Sequence, residues 1–150
     1  ELLDTLTAEM DVWIDTNAAD YNGSHSNTFF VVGEAAEIAA NTRLAGLRYE
    51  KGGLVAFARH NDRFIEKATG IALRQWVHVR WHVVFSDNAD AGQVTVTEDG
   101  ATTIDVHAPT LYPTATPRQD YAIFLGLRNS GFAGAMTLKL DNVRLTRTKP

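Results

Sequence analysis

Trp76, His78, Arg80 and His82 alternate with apolar residues in the segment Trp76–Phe85 (WVHVRWHVVF). On a strand, every second side chain points the same way, so these four share one face. An indole, two imidazoles and a guanidinium on one surface support two kinds of chemistry. A polysaccharide lyase needs a cation beside the uronate, a base for the C5 proton and an acid for the leaving oxygen. Arg80 with His78 or His82 fits the first two roles, and Tyr49 or Tyr121 the third. The same residues without a reaction make a sugar-binding groove, with an exposed aromatic and forked or hydroxyl donors beside it. A solvated polar sheet face is the third reading. A shared metal is excluded for the histidines. Four residues of strand separate them by roughly 13 Å, against a ligand bond of about 2 Å.

Carboxylates form the second set. Glu9 and Asp11 fall on one face with Trp13 and Asp15. Glycoside hydrolysis uses two carboxyl groups about 5–5.5 Å or about 6.5–9.5 Å apart. Glu9 and Asp15 would lie roughly 20 Å apart along a strand, so only Glu9 and Asp11 could cooperate. The loop Ser86–Gly92 (SDNADAG) offers Asp87, Asn88 and Asp90 as oxygen ligands for calcium. Calcium takes about six to eight oxygens, so carbonyls and water would have to supply the rest. A polar turn explains the same residues, and no other cofactor is called for. The loop Tyr21–Asn27 is rich in small, amide and hydroxyl residues, as sugar-binding or merely connecting loops are. Ser24 and His25 within it lack the G-x-S-x-G context of a serine hydrolase, and no glycine-rich phosphate loop occurs.

These residues need a β framework. The chain has 150 residues, a formal charge of -4 and no cysteine. That length suits one domain, residues 1–150, able to bury a sizeable core without disulfides or metal. The acidic balance argues against nucleic acid, and no apolar run reaches the ~18 residues of a membrane span. The absence of cysteine fits an exported bacterial protein or a cytosolic one. A chain opening at Glu1 reads as a mature chain or an excised domain. Alternation places Met10, Val12 and Ile14 on one face, and Val77, Val79, Trp81, Val83 and Phe85 on another. Further strands are expected at Asn27–Gly33, Arg43–Glu50, Leu54–His60, Gln93–Glu98, Thr102–His107, Tyr121–Leu127 and Met136–Leu145. Lys51-Gly52-Gly53 and Asp99-Gly100 are hairpin turns, the latter of type I′. Glu34–Ala40 (EAAEIAA) is either two helical turns or a loop. Pro109–Pro117 is an ordered connection. Antiparallel strands at this spacing make an all-β, two-sheet sandwich or a barrel.

Three segments resemble a known superfamily. Trp76-Val77-His78-Val79-Arg80 resembles the W-x-H-V-x strand of laminin-G-like domains. Gln93–Gly100 resembles the strand that follows, with its D-G turn. Leu140-Asp141-Asn142-Val143-Arg144-Leu145 resembles the closing strand with its D-[NE]-V signature. Their order and spacing match the second half of concanavalin A-like lectin and glucanase jelly rolls, from Trp76 to Leu145. The resemblance implies an antiparallel jelly-roll sandwich and a broadly carbohydrate-related function, although fold alone does not fix function. Laminarinase-type members carry E-x-D-x-x-E mid-chain. Here Asp15 stands four residues after Asp11, and the set is N-terminal. No alginate-lyase signature is present. Calcium sites in the superfamily make Asp87, Asn88 and Asp90, and secondarily Asp141 and Asn142, the residues to examine.

The expectation is therefore a non-catalytic carbohydrate-recognition or accessory module of an exported bacterial protein, extracellular or periplasmic, with a polysaccharide or glycan as partner. A lyase or hydrolase using the polar face is the alternative. The ligand-binding set is Trp76, His78, Arg80, His82, Glu9, Asp11 and Trp13. The expected core holds Val12, Ile14, Phe29, Val31, Leu47, Phe57, Val77, Val79, Trp81, Val83, Val94, Val96, Phe124, Leu138, Leu140 and Val143. Nothing in the sequence bears on oligomeric state.

Overall fold

The computed structural model describes residues 5–16, 27–34, 43–50, 53–60, 63–86, 88, 90–110, 121–129 and 136–148. They form ten strands: β1 (Thr5–Thr16), β2 (Asn27–Glu34), β3 (Arg43–Glu50), β4 (Gly53–His60), β5 (Arg63–Gly70), β6 (Trp76–Val84), β7 (Gln93–Glu98), β8 (Ala101–His107), β9 (Tyr121–Asn129) and β10 (Met136–Thr148). Two five-stranded sheets result, ordered β10-β1-β6-β7-β8 and β5-β4-β3-β2-β9. Every recorded pairing is antiparallel. No helix among the described residues is long and apolar enough to cross a membrane.

Period-two patterning produces this arrangement. In β1, β6 and β7 the buried residues alternate with more exposed ones along the whole strand. Inward residues of the first sheet (Met10, Val12, Ile14, Val77, Val79, Trp81, Val83, Val94, Val96) meet Phe29, Phe30, Val32, Leu47, Leu54 and Ala56 of the second in one core. Trp81 is fully buried and packs edge-on to Phe30, with ring centroids 5.0 Å apart. The β7–β8 hairpin closes through Asp99 (φ 48) and Gly100 (φ 84), the two positive values that a type I′ turn requires. The expected Arg43–Glu50 and Leu54–His60 strands pair as a hairpin, Glu50 opposite Gly53.

Four core assignments need correction. Val31, Phe57 and Phe124 do not lie between the sheets. They form a separate cluster on the outer face of the second sheet. Phe124 is opposite Val31 in the β2–β9 register, and in β2 both faces are apolar, so alternation could not say which face is inner. Val143 is exposed, because β10 is an edge strand. Leu138 and Leu140, also on β10, are only partly buried. The segment Arg63–Gly70 was not expected as a strand and is β5. Residues 35–40, 111–120, Asp87 and the Tyr21–Ser26 loop lie outside the described residues.

One buried charge links the two sheets. Glu98 on β7 is about nine-tenths buried and accepts a hydrogen bond from Thr103 Oγ1 on β8 at 3.0 Å. It also bonds the side chain of Thr69 on β5, in the opposite sheet. Burial raises its pKa, opposed by the two threonine bonds and aided by nearby Asp99. A carboxyl group whose folded pKa is raised contributes stability below its unfolded value and loses it as pH rises through the folded value. Glu98→Gln keeps an acceptor for the threonines and removes the buried charge. The variant is expected to melt higher than the parent at about pH 8, with the gap narrowing toward about pH 4. Thermal unfolding at the two pH values checks this, and a variant less stable at the higher pH contradicts it.

Candidate functional site

All seven residues expected to bind ligand lie on the outer face of the first sheet, and the β1–β6 register sets them in rows. Trp13 is opposite Trp76, Asp11 opposite His78, and Glu9 opposite Arg80. His82 stands opposite Thr7 in the next row. Side chains directly opposite across an antiparallel pair lie close enough to interact. His78 Nδ1 is 2.7 Å from Asp11 Oδ1, Arg80 Nε donates to Glu9 Oε1 at 3.2 Å, and His82 Nδ1 is 2.8 Å from Thr7 Oγ1. A further row, not foreseen, pairs Arg74 Nε with Asp15 Oδ1 at 2.7 Å. From Thr5 to Trp13 the face runs roughly 26 Å, long enough for several sugar units in line.

Neighbouring strands widen the face. Asn142 on β10 donates from Nδ2 to Asp11 Oδ2 at 2.6 Å, so Asp11 is held between Asn142 and His78. These two bonds, Asn142 foremost, hold the Asp11 carboxyl below its ordinary pKa. Asn142 can reach inward because it sits at a bulge with φ 51, in the left-handed region that asparagine tolerates. Asp99 ties the other end. Its backbone N–H donates to His78 O at 2.8 Å, and its Oδ1 accepts from His78 N at 2.9 Å. Lys139 on β10 places its Nζ 4.1 Å from the Trp13 ring centroid, a cation–π contact. Partial burial, assisted by the Arg80 charge, lowers the His82 pKa, so this imidazole is neutral at neutral pH. Sequence reasoning missed Arg74 and Lys139. Both are single charged residues whose positions only the strand register reveals.

This arrangement has a clear chemical character. The cations Arg74, Arg80 and, when protonated, His78 each face a carboxylate, so the surface presents neutralised forks of donors and acceptors. Exposed ion pairs of this kind are worth little to the fold, so hydroxyl groups of a ligand can share their oxygens and nitrogens. Trp76 is the exception to the polar character: half of its surface is in water. Beside Trp13, it leaves a patch of indole at one end of the ladder.

The outer face of the second sheet carries a different feature. Arg48 is largely buried, ion-paired with Glu50 and Glu66, and lies 5.5 Å above the Phe57 ring. A cavity of about 460 Å³ opens beside it, lined by Glu50, Gly53, Val55, Glu66, Ala68, Thr69 and Gly70. None of these residues was singled out from the sequence as a ligand contact.

In the loop considered for calcium, Ser86 and Asn88 use their side-chain oxygens within the turn. Asn88 Oδ1 accepts from Asp90 N at 2.9 Å, and Ser86 Oγ accepts from Asn88 N at 3.1 Å. Asn88 O also receives the N–H groups of Ala91 and Gly92. Asn88 therefore acts as a turn former, its side-chain oxygen mimicking a backbone acceptor. Among the described residues no group of three or more His, Asp or Glu side chains is placed to hold a metal. Asp87 lies outside them.

No family model matches the chain, and no curated protein is significantly similar in sequence. Solved structures do match. A variant of family 7 alginate lyase A1-II′ in complex with product aligns with a TM-score of 0.63 at 13% identity, over 97% of this chain and 63% of that one. An alginate lyase Aly36B variant bound to alginate trisaccharide aligns at 0.58 and 13% identity, over 97% of this chain and 71% of the other. The LG4–5 domains of the mouse laminin α1 chain align at 0.53 and 15% identity, over all of this chain and 39% of that one. The chain thus spans less than two thirds of the length of the A1-II′ lyase. At such identities the likeness concerns architecture. With the two antiparallel five-stranded sheets, it shows a jelly-roll sandwich fold like that of these alginate lyases and laminin domains.

Proposed function

We propose that this chain is a non-catalytic carbohydrate-recognition module of an exported bacterial protein, and that it binds a polysaccharide along the outer face of the first sheet. One observation carries the reading: Trp76, half exposed, stands opposite Trp13 at the end of a run of polar rows formed by Asp11–His78, Glu9–Arg80 and Thr7–His82. An exposed indole beside paired polar groups suits a sugar ring, whose C–H face stacks on the aromatic while its hydroxyls bridge donors and acceptors. Asp11, held by Asn142 and His78, and Glu9, held by Arg80, are fixed acceptors for such hydroxyls. Likeness in fold to lyases solved with product or oligosaccharide supports a glycan partner. Affinity electrophoresis through neutral and uronate-containing polysaccharides tests the proposal. Retardation by at least one polysaccharide is expected, and free migration through all of them contradicts it.

A second reading, a polysaccharide lyase, draws on the likeness to alginate lyases. Arg80 and His78 are the candidates on the polar face, although both are already bonded to carboxylates. Lyase action would appear as unsaturated-uronate absorbance growing with time, which a binding module does not produce.

A further inference from the structure

Among the described residues, the sandwich is closed on one side and open on the other. β5 packs against β8. Given the two strand orders, β9 and β10 are then the edges on the opposite side. There, side chains that belong to the inner face are left in water: Ile123 and Leu125 on β9, Val143 and Leu145 on β10, each about two-fifths exposed. A long edge strand with exposed apolar residues is a template for another strand. We propose that the occupant is a second copy of this chain, paired antiparallel through β10 about a two-fold axis between Asn142 and Val143.

The sequence of β10 is self-complementary in that register. Asp141 falls opposite the partner's Arg144, and Arg144 opposite the partner's Asp141. Leu140 falls opposite the partner's Leu145, Lys139 opposite the partner's Thr146, and Thr137 opposite the partner's Thr148. The bulge makes the register consistent. Residues facing each other across an antiparallel pair must share a sheet face. Before the bulge, Leu138 and Leu140 pair with buried Ile14 and Val12, while Lys139 and Asp141 pair with outward Trp13 and Asp11. After it, Leu145 pairs with buried Ala8 and Arg144 with outward Glu9, so the parity has switched. An odd register centred on the bulge therefore sets inner against inner and outer against outer on either side of it, with Asn142 opposite the partner's Val143 at the centre. Slipping by two residues in one direction sets Lys139 against the partner's Arg144, which repels. Slipping by two in the other removes the Asp141–Arg144 pair. A one-residue slip sets inner residues against outer ones.

Such a dimer is isologous, as two-fold interfaces are, and joins the first sheets of both copies into ten continuous strands. It also brings the two open sides together, so Val143, Leu145, Ile123 and Leu125 gain apolar neighbours. The inference does not depend on any ligand.

Sedimentation velocity over a concentration series tests it. The chain as given is expected to run at twice its 16.5 kDa mass. Asp141→Arg and Arg144→Asp each place like charges opposite one another twice per dimer, and each should raise the dissociation constant at least about tenfold. The double exchange, Asp141→Arg with Arg144→Asp, restores complementarity and should restore the dimer. Both positions are solvent-exposed, and circular dichroism confirms that each variant folds. A monomer at every concentration overturns the proposal, as does a dimer indifferent to both reversals or a double exchange that fails to rescue.

Discussion

Trp81→Ala is expected to cost about 3–5 kcal/mol of stability, the range for deleting a buried aromatic side chain. At roughly 2–4 °C per kcal/mol for a domain of this size, the melting temperature should fall by roughly 6–20 °C. The size of the effect follows from position. Trp81 is fully buried, lies on the central strand β6 of the first sheet, and meets Phe30 of the second edge-to-face. Removing it leaves a void that flanking strands, paired on both sides, cannot collapse to fill. Trp81→Phe tells volume from polarity. Its indole N–H has no hydrogen-bond acceptor among the described residues, so phenylalanine loses volume but also discards an unsatisfied donor. That variant should cost about 1–2 kcal/mol. Chemical denaturation of both variants checks the prediction. An alanine variant as stable as the parent would remove Trp81 from the core.

Gly46→Ala is expected to be comparably damaging although it adds only one methyl group. A Cβ at this position would overlap the carbonyl oxygen of Phe30 and lie 3.1 Å from the Phe57 ring. The first neighbour is backbone and cannot rotate away. It sits at the bulge between Thr28 and Phe30, where β2 crowds β3. Relief requires the strands to part, which disturbs the packing around Phe30, Leu47 and Trp81. A loss of at least about 3 kcal/mol is expected, at or above the upper end of ordinary overpacking. Gly70→Ala is the control, since a Cβ there meets nothing within 4 Å. Equal melting temperatures for the Gly46 and Gly70 variants would show that the approach of β2 to β3 is not a tight one.

Strands with one inner and one outer face were readable from the residues alone. Glu9–Asp15 and Trp76–Phe85 alternate, so alternation set Glu9, Asp11 and Trp13 on one strand face and Trp76, His78, Arg80 and His82 on another; only the β1–β6 register joins the two sets. It failed where this simple relation breaks. β2 is apolar on both faces, and Val31 packs with Phe57 and Phe124 on the outside of the sandwich. β5 is an edge strand carrying Glu66, Lys67 and Thr69 on both sides of its pleat, so it has no alternating signature. Val143 looked like core because its neighbours alternate, but whether an inward residue is covered depends on strand order, which is a long-range property. The same holds for the site. Trp76 and His78 were visible as a face. Their pairing with Trp13 and Asp11, and the reach of Asn142 and Lys139 from β10, depend on contacts between residues more than sixty positions apart.

Binding of one retained polysaccharide by the parent chain, Trp76→Ala and Trp13→Ala, measured by isothermal titration, tests the account most directly. Base–aromatic stacking in nucleic-acid recognition is worth about 1–3 kcal/mol per ring. A sugar stacked on indole at a similar scale gives an affinity loss of about tenfold or more for either variant. Trp76 is exposed, so its variant should keep the parent's melting temperature within about 2 °C. Weakened binding by a folded protein is expected in both cases. Undiminished binding by a folded Trp76→Ala, with unchanged stoichiometry, would contradict it and move the ligand to the other sheet.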